Sequence, residues 1–504
     1  MMHKKGKVYL VGAGSGDAGL ITVKGLETIK NGDVIIYDRL LNKDLLRAAK
    51  KDAELIYVGK SAKKHTYKQE EINQLLIEKA KEGKMVTRLK GGDPFIFGRG
   101  GEEGEELFAA GVEFEIVPGI TSSIAAPAYG GIPLTHRDFS SAVTIVTGHE
   151  DPAKEESAIA WEELAQNKGT LVFLMGVGNL PNIVEQLKKY GRPPETPVAL
   201  IRWGSWTRQR TVVGELDNIV SKVREAGLKP PAVIVVGDVV KLRKKLNWFE
   251  NKPLFGKKIM ITRASHQIGS MTRQLEELGA QVIEAPTIEI APPDDFQPID
   301  ESIEQLNEYN WLIFTSVNGV EYFMERLFEK GLDVRSLGHL KLATIGTATG
   351  RQLEEYGLKA DYIPHKFVAE ELAAGLGEVT DLKNAHILLP RAASTRPVLV
   401  ENLKEAGAEV REVDAYQTLV GKGCQDMHQL LQDGQVDIIT FTASSTARNM
   451  AQLVEPVSFG TLLEKVTVAC IGPITAGTVK ELGGHVDIVA EEHTIKGLID
   501  SFKE

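Results

Sequence analysis

The chain has 504 residues and is 42% hydrophobic, 25% charged and 6% aromatic. That is too long for one ordinary core and too apolar for disorder, so two to four globular domains are expected. The net charge of −10 is uneven: residues 1–250 carry 36 Lys+Arg against 32 Asp+Glu, or +4, and residues 251–504 carry 23 against 37, or −14, which leaves no broad basic face and argues against nucleic acid as a partner. No run approaches the roughly 18 apolar residues of a membrane helix. The start, MMHKKGK, leads straight into a strand with no apolar signal region, and Cys424 and Cys470, the two cysteines, form no CxxC or Cys/His spacing. A cytoplasmic protein with no membrane span, no disulfide framework and no metal site is expected.

In chain order, Val8–Val11 reads as a short buried strand, followed by VGAGSGDAG and a helix over Leu20–Lys30. Gly14-x-Gly16-x-x-Gly19 and Asp38, which closes the next strand at Val34–Tyr37, fit a dinucleotide fingerprint on spacing alone. An NAD-dependent oxidoreductase is therefore one reading. Against it stands Asp17 inside the turn, an acid that would repel a pyrophosphate. Further on, RLKGGDPFIFGRGG over Arg88–Gly101 places five glycines in fourteen residues. Such a stretch lets backbone groups lie directly against a ligand, with Asp93 in its middle and Phe95, Ile96 and Phe97 available to wall a pocket. A glycine-lined pocket with a carboxylate suits a phosphate-free cation such as S-adenosylmethionine. Asp93 would meet its polar amino-acid or ribose end, and Phe95, Ile96 and Met175 its adenosine and thioether, although each apolar residue also fits an ordinary core.

Val117–Ser123, VPGITSS, is a strand end and Pro-Gly turn in which Thr121 or Ser122 can cap a helix. The GGIPLTHRD stretch, Gly130–Asp138, reads as a crossover to a second lobe, its His136 and Arg137 offering cationic contacts to substrate carboxylates. Strands at Val143–Thr147, Thr170–Met175, Val198–Ile201 and Ala232–Val236 then predict a second α/β lobe and a cleft between the two. His149, alone after a strand, reads as local structure.

RLKGGDPFIFGRGGEE resembles the signature loop of the tetrapyrrole C-methyltransferases, and within them the uroporphyrinogen-III C-methyltransferases, over about Val8–Phe249. The resemblance implies a two-lobed tetrapyrrole methylase fold that uses S-adenosylmethionine. It places a proton-accepting aspartate at Tyr37-Asp38-Arg39, a proton-donating lysine at Val58-Gly59-Lys60, and donor contacts at Ser15, Gly91, Gly92, Asp93, Ile96, Thr121, Ser122, Met175 and Gly204. Arg39, with His136 and Arg137, would face the acidic substrate. Without the resemblance, Asp38 is equally well a helix N-cap and Lys60 a surface lysine. Two departures stand out: Gly14-Ser15-Gly16-Asp17 where the family has GPGD, and Ser61 where it has an arginine, for which Lys63, Lys64 and His65 can partly substitute. The resemblance also leaves room for a homodimer through the methyltransferase half.

Lys241–Trp248 reads as a basic amphipathic helix end, and NKPLFG, Asn251–Gly256, breaks it before a new strand at Lys258–Thr262, which puts the domain boundary at 250/251. Strand-turn-helix units then recur at IFTSVNG, ATIGTATG, ILLPRAAS (Ile387–Ser394), IITFTASS and ACIGPITAG. Each turn offers hydroxyls or glycines at a helix amino end, which can hold an anion without lysines, or can simply cap the helix. ITR, IFTS, VDAYQT and ACIGPITAG together resemble uroporphyrinogen-III synthase over about Gly256–Glu504. That family uses no cofactor. The resemblance implies two lobes, 256–288 plus 418–504 and 289–417. Tyr416 would assist loss of the substrate hydroxyl, and Ser316, Thr349 and Thr475 would hold carboxylates. Ala443 and Ile474 stand where the family has hydroxyls, with Ser444 as a substitute. The combined expectation is an α/β chain in two halves, 1–250 (lobes about 1–130 and 131–250) and 251–504. It would cyclise hydroxymethylbilane to uroporphyrinogen III and methylate that product twice to precorrin-2, towards siroheme or cobalamin. The other alternative is a methyltransferase fused to a non-catalytic ligand-binding module.

Overall fold

The computed structural model describes residues 6–59, 67–149, 159–365, 369–392, 397–424 and 426–503. The chain divides into two units, Met1–Lys257 with Glu276–Gln281, and Lys258–Leu275 with Val282–Glu504. The division falls seven residues after the expected 250/251, because Leu254 and Lys257 still hydrogen-bond Leu278 and Gln281 at the returning segment of the first unit.

The first unit holds two five-stranded sheets. Its amino lobe runs β1 Lys7–Gly12, α1 Val23–Asn31, β2 Val34–Tyr37, β3 Glu54–Tyr57, α2 Gln69–Lys81, β4 Met85–Lys90, α3 Gly100–Ala109, β5 Glu113–Val117 and α4 Ser122–Tyr129. The order β3-β2-β4-β1-β5 is parallel throughout. Local chemistry sets the helix starts: Thr22 Oγ1 accepts from Gly25 N at 3.0 Å, and the Glu71 carboxylate reaches back to Lys68 N at 2.6 Å. The expected helix over Leu20–Lys30 is instead a short 3-10 turn at Ala18–Leu20 and then α1, because Asp17 and Thr22 each cap a separate start.

The carboxyl lobe runs β6 Val143–Thr147, α5 Trp161–Gln166, β7 Thr170–Leu174, α6 Leu180–Lys189, β8 Pro197–Arg202, β9 Arg210–Glu215, α7 Ile219–Glu225, β10 Ala232–Val236 and α8 Arg243–Leu246. Its order is β6-β7-β10-β8-β9, and β10 pairs antiparallel with both β7 and β8. Strand β9 was not expected. It pairs antiparallel with β8 at the sheet edge, where its alternation is too weak to read as a strand. The helix expected at Lys241–Trp248 is only the four residues of α8.

The second unit runs β11 Lys258–Ile261, α9 Ser265–Glu277, β12 Gln281–Glu284, β13 Ile288–Ala291, α10 Gln297–Glu304, β14 Trp311–Phe314, α11 Val317–Glu329, β15 Lys341–Thr344, α12 Thr347–Glu355 and α13 Ala369–Val379. It continues with β16 His386–Ala392, α14 Val398–Glu405, β17 Glu409–Val420, α15 Met427–Gln432, β18 Ile438–Phe441, α16 Ser444–Leu453, α17 Phe459–Leu463, β19 Thr467–Cys470, α18 Pro473–Glu481, β20 Ile488–Val489 and α19 Ile495–Asp500. The sheets are β12-β11-β18-β19-β20 and β13-β17-β16-β14-β15, so the lobe containing β11 is discontinuous in sequence. The long strand β17 pairs with β13 from Ile288↔Val420 to Ala291↔Gln417. This register keeps Ile288 and residues 418–420 in the second sheet, whereas the lobe limits of 288 and 418 expected from sequence would cut the ladder. Among the described residues no helix is long and apolar enough to cross a membrane.

Candidate functional site

At the carboxyl edge of the first sheet three glycine-bearing loops meet backbone to backbone. Gly92 N donates to Gly14 O at 2.7 Å and Gly14 N to Gly92 O at 3.2 Å, which docks the loop after β4 onto the loop after β1. The turn after β5 lies so close that a Cβ at Gly12 would stand 2.5 Å from Gly119. Asp93 ties the assembly together: Oδ2 accepts from Gly119 N at 2.9 Å and Oδ1 from Phe95 N at 2.7 Å.

Above these loops lies a cavity of about 510 Å³, walled by both lobes of the first unit. It brings together seven of the nine residues expected to hold the donor: Ser15, Gly91, Gly92, Ile96, Ser122, Met175 and Gly204, with Arg39 on its rim. Asp93 and Thr121 do not line it. Both act one step back, Asp93 as the brace just described and Thr121 as the N-cap of α4, accepting from Ser123 N at 3.4 Å. Asp17 also turns away from the cavity, capping Gly19 N at 2.7 Å and accepting the Tyr129 hydroxyl at 2.6 Å. Burial, and then that carboxylate, raise the Tyr129 hydroxyl above the ordinary tyrosine range. His149, expected to be local structure, accepts from Thr147 through its carbonyl at 2.9 Å and also reaches the cavity wall. Met175 (φ 56°), Phe97 (φ 52°) and Trp203 (φ 51°) are left-handed non-glycine residues in that wall. Such conformations persist where the surroundings over-determine them, as functional clefts do. His136 and Arg137 stand in the turn bridged by His136↔Ser140 and do not line the cavity.

Asp38 follows β2 and is not a helix cap. Its Oδ2 accepts from Arg88 Nη2 at 3.0 Å. Arg88, 3% exposed, passes the contact on through Nε to Glu103 Oε1 at 3.2 Å, and that oxygen also accepts from Lys90 Nζ at 2.6 Å and Gln69 Nε2 at 3.2 Å. Arg88 and Lys90 therefore belong to a buried strand and not to the ligand loop, which begins at Gly91. Burial pushes the Lys90 ammonium below the ordinary lysine range, and the neighbouring Arg88 cation adds to the shift. Asp38 Oδ1 and Glu103 Oε2 are shielded from solvent without a hydrogen-bond partner among the described residues. A buried carboxylate oxygen is not left unpartnered without cost, which marks this four-charge cluster as a candidate for function. Its distant part was missed in the sequence, since Glu103 is one of four acids in GGEEGEE and nothing local separates it from the exposed Glu102. Lys60, with Ser61, Lys63, Lys64 and His65, lies outside the described residues.

In the second unit Tyr416 is 7% exposed, stacks on Tyr322 with ring centroids 5.8 Å apart, and shares a 3.0 Å hydrogen bond with Ser316 Oγ. Ser316 also caps α11 by accepting from Gly319 N at 3.0 Å. Thr349 and Thr475 are buried on α12 and α18, and Ser444 accepts from Thr478 at 2.8 Å between α16 and α18. The Ser316 and Ser444 hydroxyls thus have partners within the protein. At the amino ends of α12, α16 and α18, Gly346, Ala443 and Gly472 make no side-chain cap and leave first-turn N–H groups, apart from Pro473, which has none, to other acceptors. Ala393 and Ser394 of the ILLPRAAS unit lie outside the described residues. Among the described residues no group of three or more His, Cys, Asp or Glu is placed to hold a metal.

Residues 7–220 match the model of the tetrapyrrole (corrin/porphyrin) methylases and residues 269–500 that of uroporphyrinogen-III synthase HemD. The porphyrin biosynthesis protein HemD of Ruminiclostridium josui is 40% identical over 99% of this chain and 98% of its own length. The uroporphyrinogen-III C-methyltransferase of Bacillus subtilis is 44% identical over 71% of this chain and 73% of its own. The S-adenosyl-L-methionine-dependent uroporphyrinogen III methyltransferase of Methanosarcina barkeri is 57% identical over 48% of this chain and 95% of its own.

Proposed function

Because the chain belongs to the tetrapyrrole methylases through its amino half and to the uroporphyrinogen-III synthases through its carboxyl half, we propose that its two units act in succession on one tetrapyrrole. It is an S-adenosylmethionine-dependent uroporphyrinogen-III C-methyltransferase and a uroporphyrinogen-III synthase in one polypeptide. The carboxyl unit closes hydroxymethylbilane to uroporphyrinogen III. The amino unit methylates that product twice to precorrin-2, the precursor of siroheme and cobalamin. The observation that carries the methyltransferase reading is the cavity over three docked glycine loops, with Asp17 turned aside into a cap and not facing the ligand.

In the methyl transfer a ring carbon attacks the sulfonium methyl, the C–S bond breaks, and the thioether leaves uncharged. Asp38 takes the proton that the ring must release, and Arg88 holds the carboxylate in place. Lys60 is the proposed proton donor. Arg39, on the cavity rim, and the exposed Arg137 with His136 face the substrate carboxylates. In the synthase unit the Tyr416 hydroxyl assists departure of the substrate hydroxyl, while the open amino ends of α12, α16 and α18 bind acidic side chains. A cytoplasmic homodimer built through the methyltransferase unit is the proposed assembly.

The test is to supply hydroxymethylbilane with and without S-adenosylmethionine and to record the product's absorption spectrum. Uroporphyrinogen III without the donor and precorrin-2 with it are expected. Only the uncatalysed isomer I would make the carboxyl unit a binding module, and tight NADH binding without donor binding would restore the oxidoreductase reading. Tyr416→Phe should slow ring closure by about tenfold, the weight of one hydrogen bond, without unfolding the domain. An unaltered closure rate would remove Tyr416 from the chemistry.

A further inference from the structure

Between β8 and β9 the segment Trp203–Gln209 reaches from the carboxyl lobe of the methyltransferase unit to its amino lobe. Trp203 (φ 51°) and Ser205 (φ 64°) are both left-handed. Their surroundings fix them there. Ser205 N donates to Gln209 Oε1 at 2.9 Å, and Gln209, 2% exposed, donates to Tyr129 O at 3.1 Å. Asp17 N donates to Ser205 Oγ at 3.4 Å and Ser15 Oγ to Gly204 O at 3.5 Å.

The result is that the indole of Trp206 lies in the cavity wall, directly against Gly16 of the first glycine loop. A Cβ at Gly16 would stand 2.6 Å from Ser205 Oγ, 2.6 Å from Trp206 Cδ1 and 2.8 Å from Trp206 Nε1, and Gly16 has φ +77°. Two neighbours in its own segment help to hold the ring. Trp203 packs edge-on at 5.9 Å, and the Arg208 guanidinium lies 3.9 Å from the Trp203 centroid and 4.9 Å from that of Trp206. The cavity lining combines apolar side chains, among them Val177, Ile201, Trp206, Pro231 and Val233, with the backbone of Gly14, Gly91 and Gly92. The methyl donor combines a flat and largely apolar adenosine with a charged amino-acid end.

We propose that Trp206 is a donor-binding residue that walls the adenosine of S-adenosylmethionine, and that position 16 is glycine to admit the indole and not to approach a pyrophosphate. This rests on the reading of the cavity as the donor site. The Gly14-x-Gly16-x-x-Gly19 spacing, which resembles a dinucleotide fingerprint, thereby gains a different physical cause.

The test titrates the full chain with S-adenosylhomocysteine and with 5′-methylthioadenosine, which keeps the adenosine and lacks the amino-acid end. Trp206→Ala should weaken both by a similar factor of about ten, the range of base–aromatic stacking, while Trp206→Phe, which keeps a ring, stays close to wild type. Gly16→Ala should give the same paired loss from the opposite side without altering Trp206. Unchanged affinity for both ligands in Trp206→Ala would overturn the proposal, as would weakened S-adenosylhomocysteine binding with 5′-methylthioadenosine unaffected. If the wild-type chain binds neither ligand, the donor-site reading fails first and takes the Trp206 assignment with it.

Discussion

Asp38→Asn is expected to bind S-adenosylmethionine as the parent does and to lose turnover by about 10²-fold or more, the ordinary weight of a positioned acid or base. Binding survives because Asp38 does not line the cavity proposed to hold the donor. Folding survives because an asparagine is isosteric and its amide oxygen can still accept from Arg88, which remains paired with Glu103. What is lost is the negative charge and, with it, the proton affinity, while Arg88 keeps the Glu103 carboxylate as its counter-ion. Titration calorimetry with the donor, alongside single-turnover methylation of uroporphyrinogen III, separates the two quantities. Full turnover in the variant would exclude Asp38 as the base, and loss of donor binding would make it a structural residue.

Glu103→Gln is expected to produce a large loss of stability for an isosteric change. Glu103 has no solvent exposure and balances Arg88, 3% exposed, and Lys90, 4% exposed, on a single oxygen. Removing one partner of a buried ion pair costs about 3–5 kcal/mol, because the remaining charge stays desolvated. Arg88 retains Asp38, so the penalty falls mainly on Lys90. The shifted state of Lys90 sets the sign of the compensation: burial already disfavours its ammonium, so Lys90→Met in the Glu103→Gln background should recover most of the stability. The measurement is the thermal transition at which donor binding is lost. A shift in Glu103→Gln no larger than that of a surface substitution would show the cluster to be hydrated and weak. The same variant tests function, since Arg88 released from Glu103 no longer holds Asp38 in one orientation, and turnover should fall with no matching loss of donor affinity.

The sequence by itself determined the local grammar of both units. The buried strand runs, the glycine turns after β1 and β4, the hydroxyl caps at Thr121 and Ser316, and the recurrent strand-turn-helix units follow from residues within one turn of each other. The edge strand β9 escaped, because a half-exposed antiparallel strand carries little alternation. Tertiary structure alone decided which distant groups share a site. The order β3-β2-β4-β1-β5 sets the end of β2 beside β4, and so joins Asp38 to Arg88 across 50 residues. The return of β8–β9 over the amino lobe sets Trp206 on Gly16. The pairing of β17 with β16, itself beside β14, brings Tyr416 to Ser316 across 100 residues. The physical reason is common to all three: strand pairing and lobe packing are chosen by burial summed over a whole sheet, and no short window of sequence carries that sum.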